Sequence, residues 1–429
     1  MLDIEFIRKN PDVVKATVKN KDSKVDINKV LELDAKRREA VTRLNTLQSE
    51  RNKASEEVAK LKKAGQKADD IISRMKSVGN DIKHLETELT AVEAELSTLL
   101  PWIPNVPAAD VPVGMGAESN LEIRRWGKRK EFSFTPKPHW EIGEKLGILA
   151  QDKATKMSGS GFILFMGMGA RLERALINFM IDLHTAKHGY QEVSPPFMVN
   201  RASMFATGQL PKLEQDMYAI KSRYDGMALR EHNPDDNMFL IPTAEVPLTN
   251  IWRDNIIDAD KLPVYYVAYT PCFRREAGSY GKETRGITRV HQFDKVEMVK
   301  YVHPDTSFDE LEKLVVNAEE VLQALGLEYR VIKLSTGEMS FSAAKTYDIE
   351  AWAPGMNQYL EVSSCGNFTD FQARRANIKF RDKDGKLRFV HTLNGSGVAL
   401  PRTVICLLET FQKPDGTIEI PEALKPYME

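Results

Sequence analysis

Cysteine is scarce: the 429 residues hold three, Cys272, Cys365 and Cys406, far apart and never as a C-x-x-C pair. That excludes a disulfide framework and a cysteine zinc site as organising devices. An excess of one charge is lacking too, since 60 Lys and Arg stand against 61 Asp and Glu. A net charge of −1 excludes a uniformly basic coat and leaves any RNA contact to regional basic faces. No apolar run approaches the ~18 residues that a membrane span needs. The start MLDIEFIRKN has neither the basic flank, the apolar core nor the cleavage site of a signal peptide. A cytoplasmic location without membrane contact is expected. The histidines, His291 in VHQF among them, show no metal-ligand spacing, so no zinc is expected.

What is present suits a large core and more than one domain. Val30, Leu33, Ala40, Leu44, Leu47, Ala54, Val58 and Leu61 recur at alternating steps of three and four, with Arg37 and Arg51 filling the two gaps. That is a heptad seam. After a break around Gly65 the seam resumes through Ile71, Met75, Val78, Ile82, Leu85, Leu89, Val92, Leu96 and Leu99, and stops at Pro101. Two long helices joined by a short turn fold back antiparallel. Each stripe is too narrow for a globular core helix, and the outer positions are charged or amide, so the hairpin reads as an arm standing in solvent. From Lys36 to Lys63 nine basic residues face four acidic ones, and from Asp69 to Leu100 three face seven. Such a split suits pairing of the two helices and equally a basic RNA-facing surface on the first.

The stretch 101–120, rich in Pro, Gly and Ala, interrupts all periodicity. The expected organisation is an arm over 1–105, a linker over 106–120 and a second domain over 121–429. In that domain Leu172, Ala175, Leu176, Phe179, Met180 and Leu183 form one helical face, closed by Gly189 at the C′ position and followed by the strand-like YQEVSPP. VYYVAYTPCF (264–273) and RVHQFDKVEMVKYV (289–302) read as antiparallel strands joined by a long loop, AGSYGKETRG. Further strands near Tyr347–Trp352 and Gln358–Val362, and a closing helix from about Arg402 to Gln412, make the class α+β around a mainly antiparallel sheet.

In TPCFRREAG, Arg274 and Glu276 alternate with Arg275, so a strand there puts Arg274 and Glu276 on one face. The stretch through Arg289 resembles motif 2 of class II aminoacyl-tRNA synthetases, and closely the seryl family. GARLERALINFMIDLHTAKHGYQEVSPP resembles motif 1 of that family and HTLNGSGVALPRT its motif 3. The loop IPTAEVPLTN, the stretch YLEVSSCGNFTDFQARR and the hairpin arm are similar as well, so the resemblance covers nearly the whole chain.

The resemblance implies ATP-dependent activation of L-serine to seryl-adenylate and transfer of serine to tRNA(Ser), with tRNA(Sec) a further candidate. Arg274, Arg289 and Arg402 are then the expected catalytic residues: Arg274 on the α-phosphate, Arg402 on the far end of a bent ATP, and Arg289 on the substrate carboxylate and adenylate phosphate. Guanidinium groups suit these tasks because they offer forked donors to phosphate oxygens. Glu276 is expected on the adenine amino group, with Arg275, Val290, Val362 and Ser363 completing the ATP contacts. Glu361 and Ser364 match the family's Mg²⁺ ligands, and hard oxygen donors suit that ion. Thr243, Ala244, Glu245, Glu297, Asn394 and Ser396 match the serine pocket, where carboxylates suit an ammonium. Pro401, just ahead of Arg402, fits a helix's first turn. A homodimer through motif 1 and tRNA binding by the arm follow from the same resemblance, and the chain beyond Arg402 is expected to be too short for an anticodon or editing domain. Two other readings stand beside it: an amino acid:carrier-protein ligase on the same fold, and a catalytically dead RNA-binding regulator.

Overall fold

The computed structural model describes residues 1–220, 238–277 and 285–429. The chain separates into two compact units, Met1–Pro104 and Asn105–Glu429. Two short helices open the first, α1 (Ile4–Lys9) and α2 (Pro11–Asn20), and pack on the base of α3 (Ile27–Lys63). Asp26 starts α3 by accepting the Asn28 and Lys29 N–H groups, which the helix itself cannot satisfy. At about 1.5 Å per residue α3 is about 55 Å long. It ends where Gly65, at φ +73°, lets the Gln66 N–H reach the Leu61 carbonyl (2.9 Å) and its own N–H reach Lys62 (3.2 Å), so the chain turns at once into α4 (Asp69–Leu99).

Lys29 pairs with Glu95 at 3.4 Å, and one groove is lined by Leu47 from α3 and Leu85 from α4, so the two helices run antiparallel. Every apolar seam position is buried or half-buried. Val30, Leu33 and Ala40 are buried at the base, whereas Leu44 to Leu61 are half-buried, as expected where only two helices meet. Asp34 falls off the seam and is still 1% exposed, because Arg8 (2.7 Å), Arg38 (3.1 Å) and Arg37 (3.4 Å) converge on it.

The second unit is built on eight strands: β1 (Leu121–Trp126), β2 (Gln191–Glu192), β3 (Val264–Phe273), β4 (Gln292–Val302), β5 (Tyr329–Lys333), β6 (Lys345–Ala353), β7 (Gln358–Asn367) and β8 (His391–Ala399). Their order is β1-β5-β6-β7-β8-β4-β3-β2, antiparallel throughout except for β2 beside β3. Val267 joins the core with α7 (Met168–Ala186), α10 (Ser307–Leu325) and α12 (Leu400–Thr410). Its neighbours Tyr266 and Ala268 join a second core with α8 (Arg201–Thr207), α9 (Glu245–Thr249) and α11 (Phe371–Ala376). The sheet is therefore covered on both faces, which is why its central strands read as unbroken apolar runs. Two further helices, α5 (His139–Lys145) and α6 (Gln151–Ser158), precede α7.

Several boundaries differ from the sequence reading. The stretch 106–120 lies within the second unit: Ala108 N–H bonds the Ala344 carbonyl, and Val111 packs with Ile332, Leu334 and Met339. YQEVSPP pairs at only two residues, since Pro195 and Pro196 have no N–H for a ladder. Gly189 (φ +74°) turns the chain two residues beyond the helix cap at Lys187. β4 starts at Gln292, leaving Arg289 in the approach to the strand. Residues 278–284 of the expected β3–β4 loop lie outside the described residues. Among the described residues no helix is long and apolar enough to cross a membrane.

Candidate active site

β4, β6, β7 and β8, with the chain just past β3 and the segments before α9 and α12, enclose a cleft of about 670 Å³. At one end β4 and β8 pair Glu297 with Ser396, whose hydroxyl is 3.4 Å from the Glu297 carboxylate. Lys295, two residues earlier on the same pleat, binds Glu297 and donates to the Thr243 hydroxyl at 2.8 Å. Thr243 Oγ1 also accepts the Glu245 N–H (3.3 Å), fixing the turn that delivers Glu245 at the start of α9. Glu245 is 7% exposed, and burial, then the nearby Glu297 charge, push its carboxyl up to about 7. Asn394 Nδ2 is buried there, beside Glu245, and makes no hydrogen bond of regular geometry among the described residues. Two carboxylates and one lysine give this pocket an excess of negative charge and suit it to a small cation with a hydroxyl.

The middle of the cleft carries the arginines. Arg274 lies just past the end of β3, its Nε 3.3 Å from the Pro242 carbonyl and its guanidinium 5.2 Å from the Phe293 ring centre. The Arg274 N–H donates to the His291 carbonyl (2.8 Å), which holds it beside the chain returning to β4. Strand pleating does not put Arg274 and Glu276 on one side, because the strand has ended and Glu276 is at φ +50°. The kink turns Glu276 towards Arg289, which it meets at 2.7 Å, and both line the cleft. Arg275 and Ala244 do not line it: Arg275 is exposed, and Ala244 is fully buried in the core.

At the far end Arg402 reaches the Glu361 carbonyl (2.8 Å), its carboxylate (3.3 Å) and the Thr288 carbonyl (3.4 Å). Pro401 sits within the first turn of α12, as its sequence position allows. Glu361 and Ser364 are three residues apart, so a regular strand would point them to opposite faces. The register shift opposite Ile349 and Glu350 inserts one extra residue in β7, and both side chains line the cleft, with Asp348 opposite Ser364. The buried Asp348 Oδ1 has no hydrogen-bond partner among the described residues, and burial followed by the Glu361 charge pushes that carboxyl well up. Val290, Val362 and Ser363 line the same cleft, Ser363 by donating to the Ser396 carbonyl at 2.6 Å.

Residues 1–107 match the seryl-tRNA synthetase N-terminal domain family, and residues 227–411 match the class II tRNA synthetase core domain family (G, H, P, S and T). The chain is 53% identical to the serine-tRNA ligase of Caldanaerobacter subterraneus subsp. tengcongensis over 429 residues, covering 100% of this chain and 98% of that protein. The chain belongs to the seryl-tRNA synthetase family. A serine-tRNA ligase of Geobacillus sp. is 55% identical over 430 residues, again at 100% and 98% coverage. Among solved structures, seryl-tRNA synthetase of Pyrococcus horikoshii complexed with ATP matches with a TM-score of 0.91 at 36% identity, covering 100% of this chain and 98% of that one. A cytoplasmic serine-tRNA ligase of Naegleria fowleri in complex with AMP gives 0.87 at 29% identity, covering 100% and 97%. The chain is thus a class II aminoacyl-tRNA synthetase.

Two cleft groups in this member of the family, and one directly behind the cleft, were given no role in the motif reading. Lys295 and Asp348 had a usable signal, because each alternates on its strand with a residue facing the same side, Glu297 and Glu350. Gln372 had none: it is a fully buried amide on the six-residue helix α11, behind Glu245.

Proposed function

We propose that the cleft activates L-serine with ATP and passes it to tRNA(Ser), and to tRNA(Sec) where that RNA is present, in the cytoplasm. One observation carries this reading: an acidic pocket around Glu245 and Glu297 opens into the same cleft as Arg274, Arg289 and Arg402. An ammonium held in the pocket leaves its carboxylate to point towards the arginines. A serine carboxylate oxygen attacks the α-phosphorus of ATP, the bond to the β-phosphate oxygen breaks, and pyrophosphate leaves with that electron pair. The adenosine-ribose hydroxyl of the tRNA terminus then attacks the seryl carbonyl and releases AMP. No protein nucleophile enters, and the protein's part is positioning and neutralisation of charge.

In this reading Arg274 holds the α-phosphate, Arg289 the serine carboxylate and adenylate phosphate, and Arg402 the far end of ATP. Glu276 and Val290 stand around the adenine; Thr243, Glu245, Glu297, Asn394 and Ser396 form the serine site. Arg289 and Arg402 rest on Glu276 and Glu361, so nucleotide phosphates would replace these carboxylates on the guanidinium groups and free Glu276 for the adenine and Glu361 for a cation. Mg²⁺ fits Glu361 and Ser364, with Val362 and Ser363 on the same strand: their oxygens are hard donors, and the unpartnered Asp348 oxygen beside them favours a cation. No group of three or more His, Cys, Asp or Glu among the described residues could hold a metal, so the phosphates would complete its shell. That ion would neutralise phosphate charge. The arm, residues 1–105, grips the tRNA, and residues 121–429 carry the chemistry. α7 and β2 pair two copies into a homodimer, which a monomeric mass in solution at working concentration would refute.

ATP–pyrophosphate exchange with each amino acid in turn, followed by aminoacylation of total tRNA, tests the reading. Serine-dependent exchange with charging is expected. Exchange with another amino acid, or exchange without charging, would overturn it.

A further inference from the structure

We infer that Gln372 is a positioning residue of the amino-acid pocket, holding the Glu245 carboxylate in one orientation and in its charged form to receive a substrate ammonium. The inference rests on the serine reading above. Gln372 is 0% exposed, and its side chain crosses from α11 to the back of the pocket. The Thr392 hydroxyl donates to its Oε1 at 2.6 Å, and its Nε2 donates to Glu245 Oε1 (2.6 Å) and to the Thr207 carbonyl (3.1 Å). That sequence of contacts admits only one amide orientation. A flipped amide would set its oxygen against the Thr207 carbonyl and the Glu245 carboxylate and its nitrogen against the Thr392 hydroxyl.

Glu245 needs such donors because its burial and the neighbouring Glu297 charge both disfavour its charged form. It is faced by Glu297 and Lys295 from β4, by Asn394 from β8, by Gln372 from α11 and by Gln209, whose amide is 3.5 Å from Oε2. Lys295 is committed to Glu297 and Thr243. Burial and the Glu297 charge together push the Glu245 carboxyl up to about 7, and the Gln372 hydrogen bond pulls the other way. Without that donor the carboxyl moves further up, more of it is protonated at neutral pH, and a cationic amino group meets a neutral acid. Neither substrate nor nucleotide touches Gln372 in this arrangement, so its effect passes entirely through Glu245.

Gln372→Met keeps the side chain's length and removes the donor. In ATP–pyrophosphate exchange at saturating ATP, the KM for serine is expected to rise about tenfold at pH 7. The acid limb of kcat/KM for serine should move up by about one pH unit, so that raising the pH restores most of the loss. The KM for ATP should change less than twofold. Thr392→Val, which removes one of the three contacts that hold the amide, should move the limb in the same direction by less, and serves if Gln372→Met does not fold. An unmoved acid limb, or equal losses for serine and ATP, would overturn the inference. Absence of serine-dependent exchange in the unsubstituted protein would instead overturn the serine reading and this inference with it.

Discussion

Asp34 at the base of the arm and Glu245 in the cleft are both buried carboxylates, 1% and 7% exposed, and their surroundings treat them in opposite ways. Burial alone would raise Asp34, but hydrogen bonds from Arg8, Arg37 and Arg38 outweigh it and hold the carboxyl below its usual range. Glu245 has amide donors, a second carboxylate and a lysine already spent on that carboxylate, and it sits above the range. Both sites took the same polar residue type out of water. In the arm the sequence brings three guanidinium groups to settle the charge, and the result is scaffold. In the cleft the settlement is left incomplete, which suits the site to an incoming cation.

The largest test of this division separates the two units by deletion and substitution. Arg274→Ala should cut serine-dependent ATP–pyrophosphate exchange about a thousandfold, because the contact it loses strengthens as charge develops on the α-phosphate. Removal of residues 36–96, closed by a short linker, should leave exchange within about twofold and abolish tRNA charging. Equal damage to both steps by the deletion would erase the distinction between grip and chemistry.

A smaller effect is expected at Asp34. Asp34→Ala removes the acceptor shared by three arginines, but those arginines are 31% to 51% exposed, so screening limits the loss to about 1–2 kcal/mol. The pH dependence has a definite sign. A carboxyl held below its unfolded value of 3.8 contributes stability above about pH 4 and loses it as the pH falls through its folded value. Helix content followed by circular dichroism between pH 5 and pH 2 should show the substituted protein with the flatter profile; parallel profiles would mean that the cluster contributes nothing.

The arm was almost wholly legible because its information is local. Heptad spacing named the seam, and Gly65 and Pro101 marked its turn and end. Asp34 was not legible, since its partner Arg8 lies on a separate helix before the seam. In the second unit the motif residues Arg274, Glu276, Arg289, Glu361, Ser364 and Arg402 were found through resemblance, and the structure brings them to one cleft. What places them there was hidden. The left-handed Glu276 and the extra residue in β7 are choices of backbone that no side-chain pattern records. The anchoring of 106–120 depends on Thr336 and Ala344, more than 200 residues away, so composition alone read it as a connector. Gln372 shows the same limit at the level of one amide, whose three partners come from α8, α9 and β8.

The smallest expected effect asks whether unsettled charge always marks a ligand. Glu173 on α7 and Asp294 on β4 face each other outside the cleft, and burial, then the Asp294 charge, push the Glu173 carboxyl above its ordinary range, so the pair retains a proton there. An acid raised in the folded chain holds a proton that the unfolded chain has already released, so stability falls as the pH climbs from the ordinary carboxyl range towards the raised value. Glu173→Gln keeps one hydrogen-bond donor towards Asp294 without the titration. It should raise Tm by a few degrees at pH 8 and leave it nearly unchanged at pH 4.5, with serine-dependent exchange unaffected at both. A gain at pH 8 would make this pair an uncompensated cost of packing α7 on the sheet, unlike Glu245. A loss at pH 8 would mean that the Glu173 charge is itself matched by a cation, which two copies of the chain in contact through α7 could supply, and the titration of Tm against protein concentration would then show it.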